Sequence, residues 1–578
     1  MSDIDPILLA VLNGRLVQIA DEMDATLYRS AFNPIIAEAH DACHGLYHAE
    51  TGATLVQGTT GLPIFVGAMA FAVKAVIDKA KTDGNLEEGD TYIFNDPYDG
   101  GTHLNDFRLV RPLFWNGKLF AWLASVGHWL DVGGNVPGNF NAKATESFQE
   151  GFRIPPVKLT RAGVMQHDII DILGANSRVP QSNWGDLNGQ LNALDLGERR
   201  FHALLKDYGD ELIVNALDVL TARAEKLMRA NIAALPDGVY SYDDFLDNDG
   251  ITDKPLRIAL DLTIKGDTMR LDFSRSAPPC DGPLNIALST TVACCYVALK
   301  HIFTDVPANA GCLAPIAFNI PKTTLLGVSA PRPVGGYTET ILRVIDTVFG
   351  AFAKVAPERA NGSPYATINA LSLSGWRDHG RRWVMFCFFG GGLGGNPETD
   401  GLNHGNNPIS TATIPPAEIL ESLYPVMFTQ WALRPDSGGP GTHRGGLGAI
   451  YEIEPLMEGS DTDVFLLGER GKFPPFGVNG GKSASLNRFV YQTDDGEKTP
   501  PMVSKVTDVR IAQGQRVRLE TPGGGGFGDP LTRDAARVGR DVRLGYVSRE
   551  TARRDYGVAL GENGAVDMAA TAKLRNKA

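Results

Sequence analysis

The stretch NDPYDGGTHLNDFRLV, Asn95 to Val110, lies between two short apolar runs, TYIF (Thr91 to Phe94) and RLVRPLF (Arg108 to Phe114). A third run, KLFAWLASV (Lys118 to Val126), leads into SVGHWLDVGGNVPG, Ser125 to Gly138. Short apolar runs separated by Gly, Asn and Pro read as strands joined by loops. Each of the two glycine-rich stretches therefore sits at a strand end, where the backbone can bend to bring side chains together. Each also carries a His with an Asp three residues on, His103 with Asp106 and His128 with Asp131.

Outward from this strand region the pattern becomes helical. After Asp5-Pro6, the residues Ile7, Leu8, Val11, Leu12, Leu16, Ile19, Met23 and Leu27 recur at helical spacing, which predicts one long amphipathic helix ending near Asn33-Pro34. A second, alanine-rich helix is expected from Ile64 to about Lys81, stopped by Asp83-Gly84. Helical spacing returns from Leu196 to Leu235, with a break at Tyr208-Gly209. The stretch LRIALDLTIKGDTMRLDFS alternates around Lys265-Gly266-Asp267 as a hairpin does. Two further helices are expected, at 286–303 and 339–355, before a strand-rich stretch from Trp383 to Glu520 and a charged, alanine-rich end that reads as a surface helix pair or a partly free tail. The expectation is a mixed α+β, multi-domain fold, with helices around a strand-rich region that carries the two His loops as a candidate metal site, and further β-rich segments. Its parts are an N-terminal region (1–235) carrying those loops, a hairpin-containing α+β region (236–380), a β-rich and glycine-rich region (381–533) and a C-terminal helical tail (534–578).

Composition excludes several classes of function. Hydrophobic residues make up 43% and charged residues 21% of 578 residues, values of a globular chain long enough for more than one core. A net charge of −13 would repel a nucleic-acid backbone or an anionic membrane, so neither is expected as a partner. The N-terminal MSDIDPILLAVLNGRL is acidic and its apolar run is short, unlike a signal peptide, and no apolar stretch has the length of a membrane span. A cytoplasmic location is expected. The six cysteines contain no CxxC pair and suit a reduced compartment.

Nucleotide and nucleophile motifs fare poorly. FGVNGGKS (Phe476 to Ser483) is one residue short of a phosphate loop and follows no obvious strand. Gly390 to Gly395 and Gly523 to Gly528 satisfy GxGxxG, but Asn396-Pro397 and Asp529-Pro530 stand where a helix must begin, so both runs are expected to be tight turns. No GxSxG elbow occurs.

Spacing alone says little about the His and Asp pairs, because with 67 carboxylates in the chain about one of 11 histidines would have such a partner by chance. Imidazole and carboxylate together suit zinc, manganese or ferrous iron. Equally, the histidines could bond backbone carbonyls while the aspartates cap turns. A third cluster, EAHDACHGLYHAETG, offers Glu38, His40, Asp41, His44 and His48; the flanking Pro34 and Thr51-Gly52 favour a strand and turn there, which leaves Asp41 as the candidate ligand.

Several long blocks carry a resemblance. NDPYDGGTHLNDFRLVRPLF, GHWLDVGGNVPG and QEGFRIPPVKL, followed in order by GGYTETILRVIDTVFGAFA, TIPPAEILESLYPV, LRPDSGGPGTHRGGLG and TPGGGGFGDPLTRD, are similar to blocks of the hydantoinase B family: the B subunits of ATP-dependent hydantoinases, oxoprolinases and lactamases, with acetone-type carboxylases as relatives. The resemblance implies a metal held by His103, Asp106, His128 and Asp41. Asp131 would orient an imidazole or, like Asp99, relay a proton. It also implies a hydantoinase A-type partner that binds ATP, hence a hetero-oligomer, and a small cyclic amide as substrate. The partner would phosphorylate the carbonyl oxygen of the ring, and this chain would supply the site at which water attacks the activated carbonyl carbon. A subunit of an ATP-dependent ketone carboxylase, or a scaffold for an ATPase partner, are the alternatives. Two departures stand out: many relatives carry a second His where this chain has Trp129, and a Pro where it has Asn105.

Overall fold

The computed structural model describes residues 4–377, 380–410, 412–457 and 461–576; of the acidic N-terminal stretch, the first three residues lie outside this range. Among the described residues there are twelve α-helices and four β-sheets, the mixed α+β architecture expected.

The chain folds as two compact units, each assembled from separated segments. The first comprises 1–239, 261–337 and 409–415. It opens with helices α1 (Pro6–Ser30) and α2 (Pro34–Ala37), then strands β1 (Ala42–His48) and β2 (Thr54–Gln57) and helix α3 (Pro63–Asp83). Strands β3 (Thr91–Phe94), β4 (Asp106–Trp115), β5 (Lys118–His128), β6 (Val157–Arg161) and β7 (Val164–Met165) follow, and helices α4 (His167–Ala175), α5 (Pro180–Tyr208) and α6 (Asp210–Ala233) close this part. Local chemistry sets the boundaries. Asp5 caps α1 by accepting from the amides of Ile7 and Leu8 at 2.9 and 3.0 Å, with Pro6 in the first turn, and α3 stops at Gly84 in the left-handed conformation.

The seven strands form one sheet in the order β2-β1-β5-β4-β3-β6-β7. Alternation of side chains splits it into two faces. Ala42, Leu46, Phe107, Leu109 and Leu123 point to the face covered by α1 and α5, where they join a core with Leu12, Leu16, Met23, Leu194 and Phe201, and α6 packs on those two helices. The intervening residues, among them Cys43, Tyr47, Asp106, Arg108 and His128, belong to the other face, the side on which α3 packs. Helix α5 begins at Pro180, well before the expected Leu196, because its first turns bury Asn183, Gly185, Asp186, Gly189 and Gln190, polar or small residues that show no apolar period.

The chain continues through β8 (Gly238–Leu246), β9 (Leu256–Lys265) and β10 (Thr268–Asp272). Thr268 pairs with Lys265 across Gly266 and Asp267, so the expected hairpin forms with a two-residue turn. Helix α7 (Leu288–Ile302) and β11 (Ile316–Asn319), which runs parallel to β10, complete the first unit's elements.

The second unit comprises 240–260, 338–408 and 416–578. Helix α8 (Tyr337–Val355) leads into it. It contains β12 (Ala370–Arg377), β13 (Arg381–Cys387), α9 (Ala417–Leu423), β14 (Val426–Leu433), β15 (Ala449–Pro455), β16 (Thr462–Leu467), β17 (Arg488–Thr493), β18 (Gly496–Lys498), β19 (Lys505–Ile511) and β20 (Val517–Glu520). They form sheets β13-β12-β16-β19 and β14-β15-β20-β17-β18. Helices α10 (Ala535–Arg543), α11 (Arg549–Tyr556) and α12 (Met568–Arg575) end the chain. This end is no free tail: Ala535, Val538, Val547, Ala552, Tyr556 and Val558 form a small core of their own.

The glycine runs are not tight turns either. Gly390 to Gly395 and Gly523 to Gly526 contain no residue at positive φ; in the second run that conformation is confined to Gly528, at its end. They are interior segments packed backbone on backbone. Gly395 donates to Gly525 O at 2.9 Å, Gly524 to Gly446 O at 3.0 Å, and Gly446 to Leu393 O at 2.8 Å. A Cβ on Gly445 would stand 1.7 Å from Gly524 O, and one on Gly392 1.9 Å from Gly446 O. Close approach, not turning, demands glycine here. FGVNGGKS belongs to the same layer: Val478 donates to Gly526 O at 3.0 Å and Lys482 to Pro440 O at 2.7 Å, so these amides are engaged within the protein and do not cradle a phosphate.

Candidate metal centre

Asp106 is the first residue of β4 and His128 the last of β5, and antiparallel pairing sets them directly opposite one another. His103 reaches the same place by a turn in which the Asp106 amide donates to His103 O at 3.2 Å. That turn explains the spacing: it folds the imidazole back so that Nδ1 of His103 lies 2.6 Å from Asp106 Oδ2, while Nδ1 of His128 lies 3.4 Å from Asp106 Oδ1. The two imidazoles stack with centroids 4.9 Å apart. One atom from each of His103, Asp106 and His128 falls within a set spanning 4.8 Å, and all three residues are buried. Asp41 stands beside this set, held by its carbonyl, which accepts from the His128 amide at 3.2 Å.

The electrostatics suit a cation. Burial alone would raise the Asp106 carboxyl, but the His103 and His128 imidazoles outweigh it and hold the group well below the usual carboxylate range. Asp41 is pushed up to about 7, first by burial, with His128 pulling down and Asp106 pushing further up. Oδ1 of Asp41 and Nε2 of His103 are buried without a hydrogen-bond partner. Buried ligand atoms without partners carry a desolvation cost that a bound cation would remove, so the residues fit a divalent metal ion.

Around the cluster, Arg108 donates to Asp106 O and to Thr102 Oγ1, both at 2.6 Å, and Thr102 Oγ1 in turn bonds Asp106 Oδ2. Tyr337 packs on the His103 ring at 4.6 Å and Phe140 lies 5.7 Å from it, so apolar rings screen the imidazole from water. Sequence reading missed Thr102, Arg108, Phe140 and Tyr337. An arginine two residues beyond Asp106 in an otherwise apolar strand was the available signal for one of them.

Two of the expected residues are not brought to the cluster. Asp131 is buried, but its Oδ1 accepts from the Gly133 and Arg178 amides at 3.1 and 3.0 Å, and its Oδ2 from the Gly138 amide and Arg178 Nη1 at 3.1 and 2.9 Å. With both oxygens taken up, it organises its own loop. Asp99 ends a short 3-10 turn and is exposed. The two departures from the family pattern are structural: Asn105 Nδ2 donates to Trp129 O at 2.8 Å, and the Trp129 ring stacks on Phe107 at 3.8 Å. Of the third cluster, His44 is buried in the core beside Asp24, and His40 stacks on Tyr28 at 4.2 Å.

Known proteins resemble this chain over nearly its whole length. The sequence model of the family described as Hydantoinase B/oxoprolinase matches residues 5–530. The chain is 33% identical to the beta chain of the caprolactamase of Pseudomonas jessenii, covering 99% of each chain. It is 28% identical to the B component of a putative D-/L-hydantoinase of Pseudomonas sp. (strain NS671), covering 100% of this chain and 98% of that one. The crystal structure of the ATP-dependent caprolactamase from P. jessenii superposes with a TM-score of 0.90 at 32% identity over the full length of both chains. That of nucleotide-free acetone carboxylase also gives 0.90, at 22% identity over 99% of this chain and 83% of that one, a likeness of fold.

Proposed function

The chain belongs to the hydantoinase B/oxoprolinase family, and from that premise we propose that it is the metal-containing B subunit of an ATP-dependent cyclic-amide hydrolase, working with an A-type subunit that binds ATP. The observation that carries this reading is the buried His103, Asp106 and His128 set with Asp41 beside it.

A cyclic amide is a poor electrophile because resonance delocalises the nitrogen lone pair into the carbonyl. Phosphorylation of the carbonyl oxygen by the partner would turn that oxygen into a leaving group and expose the carbon to attack. Asp41, His103, Asp106 and His128 would hold the cation, whether zinc, manganese or iron; such an ion polarises carbonyls and makes water nucleophilic near neutral pH. Asp106 orients the His103 imidazole by a hydrogen bond and faces that of His128 at 3.4 Å, Thr102 and Arg108 orient Asp106, and Tyr337 and Phe140 limit water around His103. The engaged amides of Val478, Gly481 and Lys482 support the assignment of ATP to the partner.

The test is ATP-coupled ring opening of hydantoin, oxoproline and lactam substrates by the chain with its A-type partner. His103→Ala should abolish turnover while the two subunits still co-elute. Unchanged turnover would refute the reading, and carboxylation of a ketone with bicarbonate in place of lactam opening would reassign the reaction.

A further inference from the structure

On the sheet face opposite the metal residues, a chain of buried polar side chains runs between the sheet and its covering helices. Trp129 Nε1 bonds Gln190 Oε1 at 3.1 Å, Gln190 Nε2 lies 3.4 Å from Ser125 Oγ, Ser125 Oγ lies 2.9 Å from His44 Nε2, and His44 Nδ1 lies 2.7 Å from Asp24 Oδ1. These side chains come from the loop after β5, from α5, β5, β1 and α1. Asp24, His44, Ser125 and Gln190 are each 0% exposed.

The last three links have the order of an Asp-His-Ser nucleophilic triad. Full burial denies Ser125 a substrate, so the arrangement is not a second active site. The hydrogen-bond directions point elsewhere. An indole N–H can only donate, which fixes Gln190 Oε1 as acceptor, and Gln190 Nε2 also donates to Phe107 O at 3.0 Å. Nε2 therefore donates to Ser125, and with a neutral His44 carrying its proton on Nδ1, toward the Asp24 carboxyl, the Ser125 hydroxyl donates to His44 Nε2. In that tautomer every donor points the same way, toward Asp24, and such chains strengthen cooperatively.

Trp129, at the head of the chain, follows His128 directly, exchanges bonds with Asn105 beside Asp106, and stacks on Phe107 after it. Gln190 grips the Phe107 carbonyl from the same side. We propose that Asp24, His44, Ser125, Gln190 and Trp129 form a positioning relay that fixes, from the far face of the sheet, the spacing between His128 and Asp106 at the metal centre. The proposal rests on the metal reading above.

The experiment uses the full-length chain, stripped of metal and titrated with zinc, and with cobalt(II) as a spectroscopic probe. Ser125→Ala removes one hydroxyl from the middle of the relay. Trp129→Phe removes its first donor and keeps an aromatic ring over Phe107. Weakening of zinc binding by about tenfold or more in both, the range seen when groups supporting metal ligands are lost, with a shifted cobalt(II) absorption band, is the expected result. Loss of folding stability in a folded variant with unchanged zinc affinity and cobalt(II) band would overturn the relay and leave the metal reading standing. A wild-type chain that binds neither ion would overturn both. If Ser125→Ala does not fold, Trp129→Phe decides.

Discussion

At the residue scale, the HxxD pattern was half legible. A His followed three residues later by an Asp is what a turn at a strand end produces, and the turn at His103 aims the pair at each other. The same spacing at His128 and Asp131 gives a different result, because Asp131 is followed by glycines whose amides capture its oxygens. Sequence spacing does not separate these two outcomes; the glycines did offer a hint. Asp41 was the candidate kept from its own cluster, and the resemblance joined it to the other three; His128 stands opposite Asp106 because of strand register, which no local pattern encodes. Asp106→Asn, which keeps the shape and removes the charge between two imidazoles, should weaken metal binding by about 100-fold, read by titration of the stripped protein. Affinity within twofold of wild type would contradict the role given to Asp106. His44→Ala takes the imidazole hydrogen bond from the buried Asp24 carboxyl and leaves it the Thr60 hydroxyl, so urea unfolding should show a loss of about 1–3 kcal/mol. A loss below about 1 kcal/mol, the level of a surface pair, would mean that the pair is not buried as described.

At the element scale, helices with an apolar stripe and strands bounded by Gly, Asn and Pro were readable: α1, α3 and β3 to β5 fall where the periodicity puts them. The beginning of α5 was not, since its buried face is made of Asn, Asp, Gln and Gly that serve hydrogen bonds and close packing. The glycine runs misled for a related reason. Glycine serves φ > 0 in turns and also permits backbone contact in interiors, and the sequence is alike in both cases. A close-packed glycine and an unconstrained one separate on substitution. Gly445→Ala would drive a methyl into Gly524 O and should prevent the second unit from folding, seen as loss of soluble protein or of its unfolding transition. Gly14→Ala, on α1 with nothing within 4 Å of the added carbon, should stabilise by about 0.5–1 kcal/mol. If both variants behave alike, close backbone packing is not what the glycine runs provide.

At the scale of the whole molecule, both units bury acids whose pKa is raised by desolvation. In the first unit, Glu150 is pushed up to about 8 and Asp186 to about 7, despite the backbone amides each accepts. In the second, Glu339 is pushed up to about 7 and Glu469 to about 8, with Lys505 only partly offsetting the burial of Glu469. An acid with a raised folded pKa binds a proton that the unfolded chain has already released. Its contribution to stability is therefore complete below the unfolded value, about 4.3 for Glu and about 3.9 for Asp, and is lost as pH rises through about 7 to 8. The thermal midpoint should fall between about pH 5 and pH 8, and Glu150→Gln should flatten part of that slope; a midpoint that rises over this range would contradict the sign. The division into two units built from separated segments had no local signal at all, since it depends on which distant segments pack together. No helix among the described residues is long and apolar enough to cross a membrane.

Elemental analysis of the purified chain decides whether a metal is held at the β4 and β5 strand ends. Wild type should carry zinc, manganese or iron stoichiometric with the chain, and a His103→Ala, His128→Ala double variant with an unchanged circular dichroism spectrum should carry none. Wild type without metal after incubation with each of the three ions, or a double variant that retains its full metal content, would contradict a metal there.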